Sequence, residues 1–319
     1  MLEPRLRTLL PRSVMIPLGM QSWHDYDEAL IERGCAILDL GLLTSWREEL
    51  DAMNQNKLGR PFEFPNSYIS FLGFVKVGFD IPYRTLEGVV RELSEYVRFV
   101  EEMHYTHMRR RILASMKGRK PSDLIGADAD GDEPMTVIVD SSGLSTTNKG
   151  SYIEDRWKRE KRKYVKLHVM ADKKTGKIVG FRVTSEKTGD TNKFVPLVKE
   201  VSKKRKVAKA YADAAYDARK NFNVLKEIGA EPAIKLKKGA SLKALGSPLR
   251  RQEAIMLDAL GYEGWKSVRD YGKRWLVEVV FSSFKRVLGE MLRSRKFLSQ
   301  KAEASLKVML YNRFLSIRP

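Results

Sequence analysis

The 319 residues exceed one average domain and suit a large domain beside a smaller one, and a hydrophobic content of 43% excludes a chain disordered throughout. With 59 Lys and Arg against 40 Asp and Glu, the net charge of +19 points to a polyanionic partner; a ribosomal or membrane-surface protein, or a merely basic enzyme, are the alternatives. The single cysteine, Cys35, rules out an internal disulfide and a cysteine-built zinc site and suits a reducing cytoplasm, and no run approaches the roughly 18–20 apolar residues of a membrane span.

Residues 1–20 read as an irregular basic arm broken by Pro4, Pro11 and Pro17. From Ser22 to about Met53 apolar residues recur at helical spacing, interrupted at Gly34 and Gly41. After Gly59 a new segment opens, and Asn66 is placed to cap a helix carrying Tyr68, Ile69, Phe71, Leu72 and Val75. A break over Gly78–Pro82 precedes a second helix with Leu86, Val89, Val90, Leu93 and Val97 on one side. Helix, short turn, helix over about 66–98 fits a helix-turn-helix DNA reader, and it fits an ordinary helical hairpin equally well. Residues 107–134 are rich in Gly, Asp and Lys with little periodicity, and read as a linker.

Beyond Pro134 the pattern becomes mixed α/β. Thr136–Val139 reads as a short buried strand ending at Asp140. Tyr164–Met170 and Ile178–Thr184 read as strands of a hairpin, Asn192–Val201 as a helix, and Val207–Ala212 as a strand ending at Asp213. A helix over Asp217–Ile228, capped by Asp217 and closed by Gly229, leads to a strand over Pro232–Leu236. From about Leu249 the chain reads as helical to its end. Three strands, helix, strand, helix, strand and then helices fit a ribonuclease H-like α/β core preceded by an all-α region, with Asp140 and Asp213 near each other at the sheet's edge.

Phosphodiester transfer needs hard oxygen ligands for divalent cations, and carboxylates converging from different elements supply them. Asp140 alone reads equally as a site ligand or as a solvent-facing strand end. On a helix of 3.6 residues per turn, Tyr271, Arg274, Glu278 and Lys285 share an arc of about 60°. Leu276, Val280, Phe284 and Leu288 fall on a separate apolar side. The bland alternative is a solvated face with an Arg274–Glu278 pair. Asp190 in TGDTN reads as a cap for the next helix, His168 as structural or functional but not a metal ligand, and Trp265 and Trp275 as packing residues.

At these residues the chain resembles the DDE transposases of prokaryotic insertion sequences, in the group with a Y-x2-R-x3-E-x6-K signature. Tyr271, Arg274, Glu278 and Lys285 match every spacing, and VDSSGL at Asp140 and ADAAYD at Asp213 resemble the two aspartate motifs. KLHVMADKKTGKIVGFRVT, WHDYDEALIERG, GRPFEF and IPYRTLEGVV extend the resemblance over nearly the whole chain. Ala214-Ala215 departs from the Gly that many relatives carry before the Tyr. The 65 positions from Asp213 to Glu278 are too few for a large β-rich insertion domain.

The resemblance implies a DNA-binding region over 1–106, the linker over 107–134 and a catalytic domain over 135–319. It implies that Asp140, Asp213 and Glu278 hold two Mg²⁺ ions, with Mn²⁺ as a substitute. Water then cuts a transposon end, and the freed 3′-OH attacks target DNA. Tyr271, Arg274 and Lys285 would contact phosphates. Arg156, Trp157, Lys158 and Arg159, in a run of cations interleaved with an aromatic, would track the DNA backbone, as would Lys235 and Lys237. The implied partners are double-stranded DNA (terminal inverted repeats and target) and a second copy of the chain, in the prokaryotic cytoplasm at the nucleoid. The competing readings are a catalytically dead DNA-binding relative, a ribonuclease H-fold nuclease that does not join strands, and a helix-turn-helix regulator.

Overall fold

The structure is a computed structural model that describes residues 23–97, 102–117, 119–125, 133–146 and 164–317. The N-terminal arm, the end of the expected linker and the run containing Arg156, Trp157, Lys158 and Arg159 lie outside the described residues.

The chain opens with helices α1 (Trp23–Ile37) and α2 (Trp46–Asn54), separated by a 3₁₀ turn at Leu40–Leu43 that Asp39 caps by accepting from the Gly41 N–H. The helical stretch expected over 22–53 is thus two helices, broken at Gly41. Helices α3 (Asn66–Gly78) and α4 (Tyr83–Tyr96) follow. Pro65, not Asn66, is the N-cap of α3. Asn66 instead accepts from Arg111 at 3.3 Å.

Helix α3 is buried along almost its whole length, from Tyr68 to Val77. The outer face of α4 sets Arg84 and Arg91 against Glu92 and Glu95, so it is not a basic face. Helices α5 (Tyr105–Met116) and α6 (Pro121–Ile125) occupy much of the stretch expected to be linker. The linker reading fails there because Met108 and Ile112, at helical spacing, are both buried in the core.

The sheet has five strands in the order β3-β2-β1-β4-β5: β1 (Met135–Ser145), β2 (Tyr164–Asp172), β3 (Ile178–Ser185), β4 (Val207–Ala212) and β5 (Glu231–Ile234). Strands β1, β2 and β3 pair antiparallel, and β1, β4 and β5 pair parallel. This is the mixed α/β, ribonuclease H-like arrangement with a helical region before it.

Helices α7 (Thr191–Val201) and α8 (Arg219–Glu227) cover one face of the sheet. Val137, Val139, Phe194, Leu197, Val201, Phe222 and Leu225 form the core there. Gly180 allows the close approach of α7, since a Cβ at that position would stand 2.7 Å from Val201 Cγ2.

The opposite face packs against α10 (Leu276–Leu288), α11 (Phe297–Ser316) and the N-terminal helices in one continuous core that runs from Ala36 to Leu315. Between β5 and α10, helix α9 (Pro248–Val268) kinks at Gly261, whose φ of +66° falls in the left-handed region. A 3₁₀ turn over Tyr271–Trp275 then leads into α10.

Candidate active site

Register brings the first two carboxylates together. Val139 pairs with Ala212 across the parallel β1–β4 ladder, so Asp140 and Asp213 are the next residues on neighbouring strands. Asp140 does not end its strand as expected, because β1 continues for five more residues, paired with β2 as far as Ser145↔Tyr164. Asp213 does end β4, where its Oδ1 accepts from the Ala215 N–H at 2.9 Å and caps the 3₁₀ turn Ala214–Tyr216. Neither Ala214 nor Ala215 has a positive φ, which explains why no glycine is needed there.

Burial pushes the Asp140 carboxyl above the usual carboxylate range. The Ser141 N–H and Arg274 pull it down, while the charges of Asp213 and Asp190 add to the rise. A half-buried carboxylate facing two others is a place where added positive charge is favourable.

Glu278 sits in the first turn of α10 with its side chain 64% exposed. Arg274 links it to the strand pair: Nη2 donates to Glu278 at 2.9 Å, and Nη1 lies 3.4 Å from Asp140 Oδ2. The guanidinium therefore stands between the first and third carboxylates. Among the described residues no three His, Cys, Asp or Glu side chains form one ready metal-holding group. The donor chemistry nevertheless fits a hard divalent cation, with Asp140 and Asp213 adjacent and Glu278 one guanidinium away.

The expected common stripe of Tyr271, Arg274, Glu278 and Lys285 is not one helical face, since the first two residues lie in the 3₁₀ turn and the others in α10. Tyr271 is buried, packs on Trp265 at 5.1 Å, and donates its hydroxyl to the Ala212 carbonyl at 3.2 Å. It was expected as a phosphate contact and is instead a prop beneath the end of β4. Lys285 pairs with Glu290 at 3.8 Å. Lys235 and Lys237 are both exposed on the segment after β5.

Asp190 reverses its expected role. It makes no side-chain cap to α7. Its Oδ1 accepts from Ser141 Oγ at 2.9 Å and Lys166 Nζ at 3.1 Å, beside Asp140. A carboxylate before a helix reads as a cap, and it is the bonds from Ser141 on β1 and Lys166 on β2 that turn it toward the site.

His168 is fully buried, with its Nε2 meeting Thr184 Oγ1 at 2.9 Å and its Nδ1 lying 3.7 Å from Asp190 Oδ1. Asp217 does not cap α8 either; Ala218 occupies that position, and Asp217 binds Arg250. Trp265 is buried as expected, with its indole N–H donating to Glu253, but Trp275 is 51% exposed beside Arg274, which overturns its packing reading.

A family model described as "Transposase DDE domain" matches residues 131–313, and a second with the same description matches residues 31–149. The first alone covers more than half of the chain. The protein belongs to the DDE transposase family. It is accordingly a DNA transposase, an enzyme that cuts and transfers polynucleotide strands, and DDE domains work with divalent metal ions.

Among solved structures, the transposase is similar to piggyBac transposase in a synaptic complex with hairpin DNA, at 11% identity and a TM-score of 0.41 over 89% of this chain and 74% of that one. It is also similar to the Drosophila P element transposase in a strand transfer complex, at 12% identity and a TM-score of 0.33 over 88% and 85% of the chains. The Mos1 transposase paired-end complex matches at 13% identity and a TM-score of 0.23, over 82% of each chain. No helix among the described residues is long and apolar enough to cross a membrane.

Proposed function

We propose that Asp140, Asp213 and Glu278 are the metal-holding carboxylates of this transposase, and that it cuts the ends of a prokaryotic insertion sequence and joins their 3′-OH groups to target DNA. The observation that carries the reading is the parallel register that sets Asp140 beside Asp213, with Arg274 tying Glu278 to the same point.

Two Mg²⁺ ions held by the three carboxylates, or Mn²⁺ in their place, would stabilise charge on the attacking and leaving oxygens. Glu278 would join Asp140 and Asp213 by releasing Arg274. The freed guanidinium then suits a phosphate near the cut, which it can grip with two donors. Lys285 faces the same chemistry as a point charge. Tyr271 acts at one remove, by fixing the carbonyl that precedes Asp213. Asp190, by accepting from the Ser141 hydroxyl, fixes the residue that follows Asp140.

Concerted work on two ends calls for at least a homodimer on double-stranded DNA carrying the terminal inverted repeats, in the prokaryotic cytoplasm. The test is Mg²⁺-dependent cleavage and strand transfer on DNA carrying the element's own ends, comparing wild type with Glu278→Ala. The expected result is loss of both reactions with DNA binding retained. Unchanged cleavage in the variant would mean that Glu278 is not the third carboxylate. Cleavage without joining in the wild type would favour a nuclease.

A further inference from the structure

We propose that the pocket between the start of α8 and the segment after β5 seats the phosphate backbone of a DNA strand running outward from the cut. The inference rests on the transposase reading and assigns it a surface.

The pocket is an open cavity of about 570 Å³ whose lining includes Arg219, Lys220, Lys237, Lys238 and Arg250. Its single lining carboxylate, Asp217, is buried and already engaged. Asp217 accepts from Arg250 at 2.7 and 2.9 Å and from the Lys237 backbone N–H at 3.0 Å. Asp217 thereby pins the Lys237–Lys238 turn opposite Arg219 and Lys220 without neutralising them. Arg219, Lys220, Lys237 and Lys238 are exposed, and Lys220 donates to the neutral Asn192 amide oxygen at 2.7 Å.

Folding alone gives a poor account of this placement. Arg219 and Lys220 are the first two residues of α8, at the positive end of the helix dipole, with no acidic residue in the first turn. Cations are disfavoured there, and a polyanion opposite them removes the penalty.

Another dense cationic cluster, Lys203–Lys206, makes a useful contrast. It follows the C-terminus of α7, where cations are favoured, and it precedes β4, at the opposite edge of the sheet. Lys204 pairs with Asp123 at 3.5 Å, and Arg205 donates to the Glu133 carbonyl. That cluster has local reasons to exist.

Topology links the first pocket to the chemistry. β5 runs parallel to β4, and the Lys235 N–H donates to the Ala212 carbonyl at 3.2 Å. The pocket thus opens on the same sheet edge as Asp213, one strand outward. No aromatic side chain lines it, so it suits phosphates rather than stacked bases.

The experiment is fluorescence anisotropy of the full chain on two short duplexes of unrelated sequence, in EDTA, across a salt series. Wild type is compared with the pair Lys237→Ala, Lys238→Ala and with the pair Lys203→Ala, Lys206→Ala. All substituted side chains are exposed, and circular dichroism checks the fold. For the first pair, the slope of log affinity against log salt should become shallower by about 0.9 for each lysine that sits on a phosphate, equally on both duplexes. The second pair should keep the wild-type slope.

An unchanged slope in the first pair, equal changes in both pairs, or a loss confined to one duplex would overturn the proposal. Metal-dependent cleavage by wild type is scored separately. Cleavage that persists beside an unmoved slope removes only the pocket, whereas a wild-type chain without DNA binding or cleavage removes the reading beneath it.

Discussion

At the scale of single residues, Tyr271 is the most informative side chain. Its hydroxyl is one of the few polar groups that cross from the 3₁₀ turn to the sheet, and it ends on the carbonyl before Asp213. Burial raises the phenol well above its ordinary pKa, so it remains a donor throughout the working range. Tyr271→Phe should lower unfolding stability by about 1 kcal/mol, read from the denaturant midpoint, because it removes one buried hydrogen bond, while the Ala212 carbonyl keeps the Lys235 N–H as its donor. The salt slope of DNA binding should stay as in wild type. A shallower slope would instead identify the hydroxyl as a phosphate contact. Asp190 teaches the same lesson in reverse, since its sequence position suggested a cap while its carboxylate holds Ser141 and Lys166.

At the scale of elements, helix α10 depends on α11 for its end. Lys307 is fully buried, and its Nζ donates to the carbonyls of Leu288, Gly289 and Met291 at 2.7, 3.1 and 2.8 Å. The first two are orphan carbonyls at the helix C-terminus and the third lies just beyond it, and a cation suits both their lone pairs and the dipole. Glu303 holds the next turn by accepting from the Arg293 and Ser294 N–H groups. Lys307→Met keeps the volume but leaves three buried acceptors unpaired, so a loss of about 2–4 kcal/mol is expected in chemical denaturation. A loss under about 0.5 kcal/mol would show that water reaches those carbonyls.

Elements were legible in the sequence where periodicity was strong: Val207–Ala212 forms a strand with the bounds read from its pattern. The turn at Tyr271–Trp275 was not. A 3₁₀ segment advances about 120° per residue instead of 100°, and hydrophobic spacing over five residues cannot separate the two. The linker failed for a related reason, because Met108 and Ile112 are too few to register as an amphipathic stripe yet are fully packed.

At the scale of the whole molecule, the three carboxylates were legible as motifs, but the route connecting them was not, because it runs through tertiary packing. Helix α3 lies against α11 so closely that a Cβ at Gly73 would stand 2.7 Å from Leu306 Cδ2. Buried Lys76 of α3 meets Glu303 of α11 at 3.5 Å, so the N-terminal helices and the sheet half share one core. The segment after α10 also returns to the sheet, where the Ser145 N–H donates to the Glu290 carbonyl and the Ser145 carbonyl accepts from the Leu292 N–H, on either side of the Ser145↔Met291 bridge.

The helix bearing Glu278 is thus a beam clamped at both ends, by Tyr271 before it and by Lys307 and the β1 bridge after it. A clamped beam cannot slide its carboxylate toward Asp140; the side chain itself must span the gap. Glu278→Asp keeps the charge but shortens the reach by one methylene, about 1.5 Å. A misplacement of that size should cut metal-dependent cleavage by about 100-fold while DNA affinity holds. Near wild-type rates in that variant would show that the beam bends.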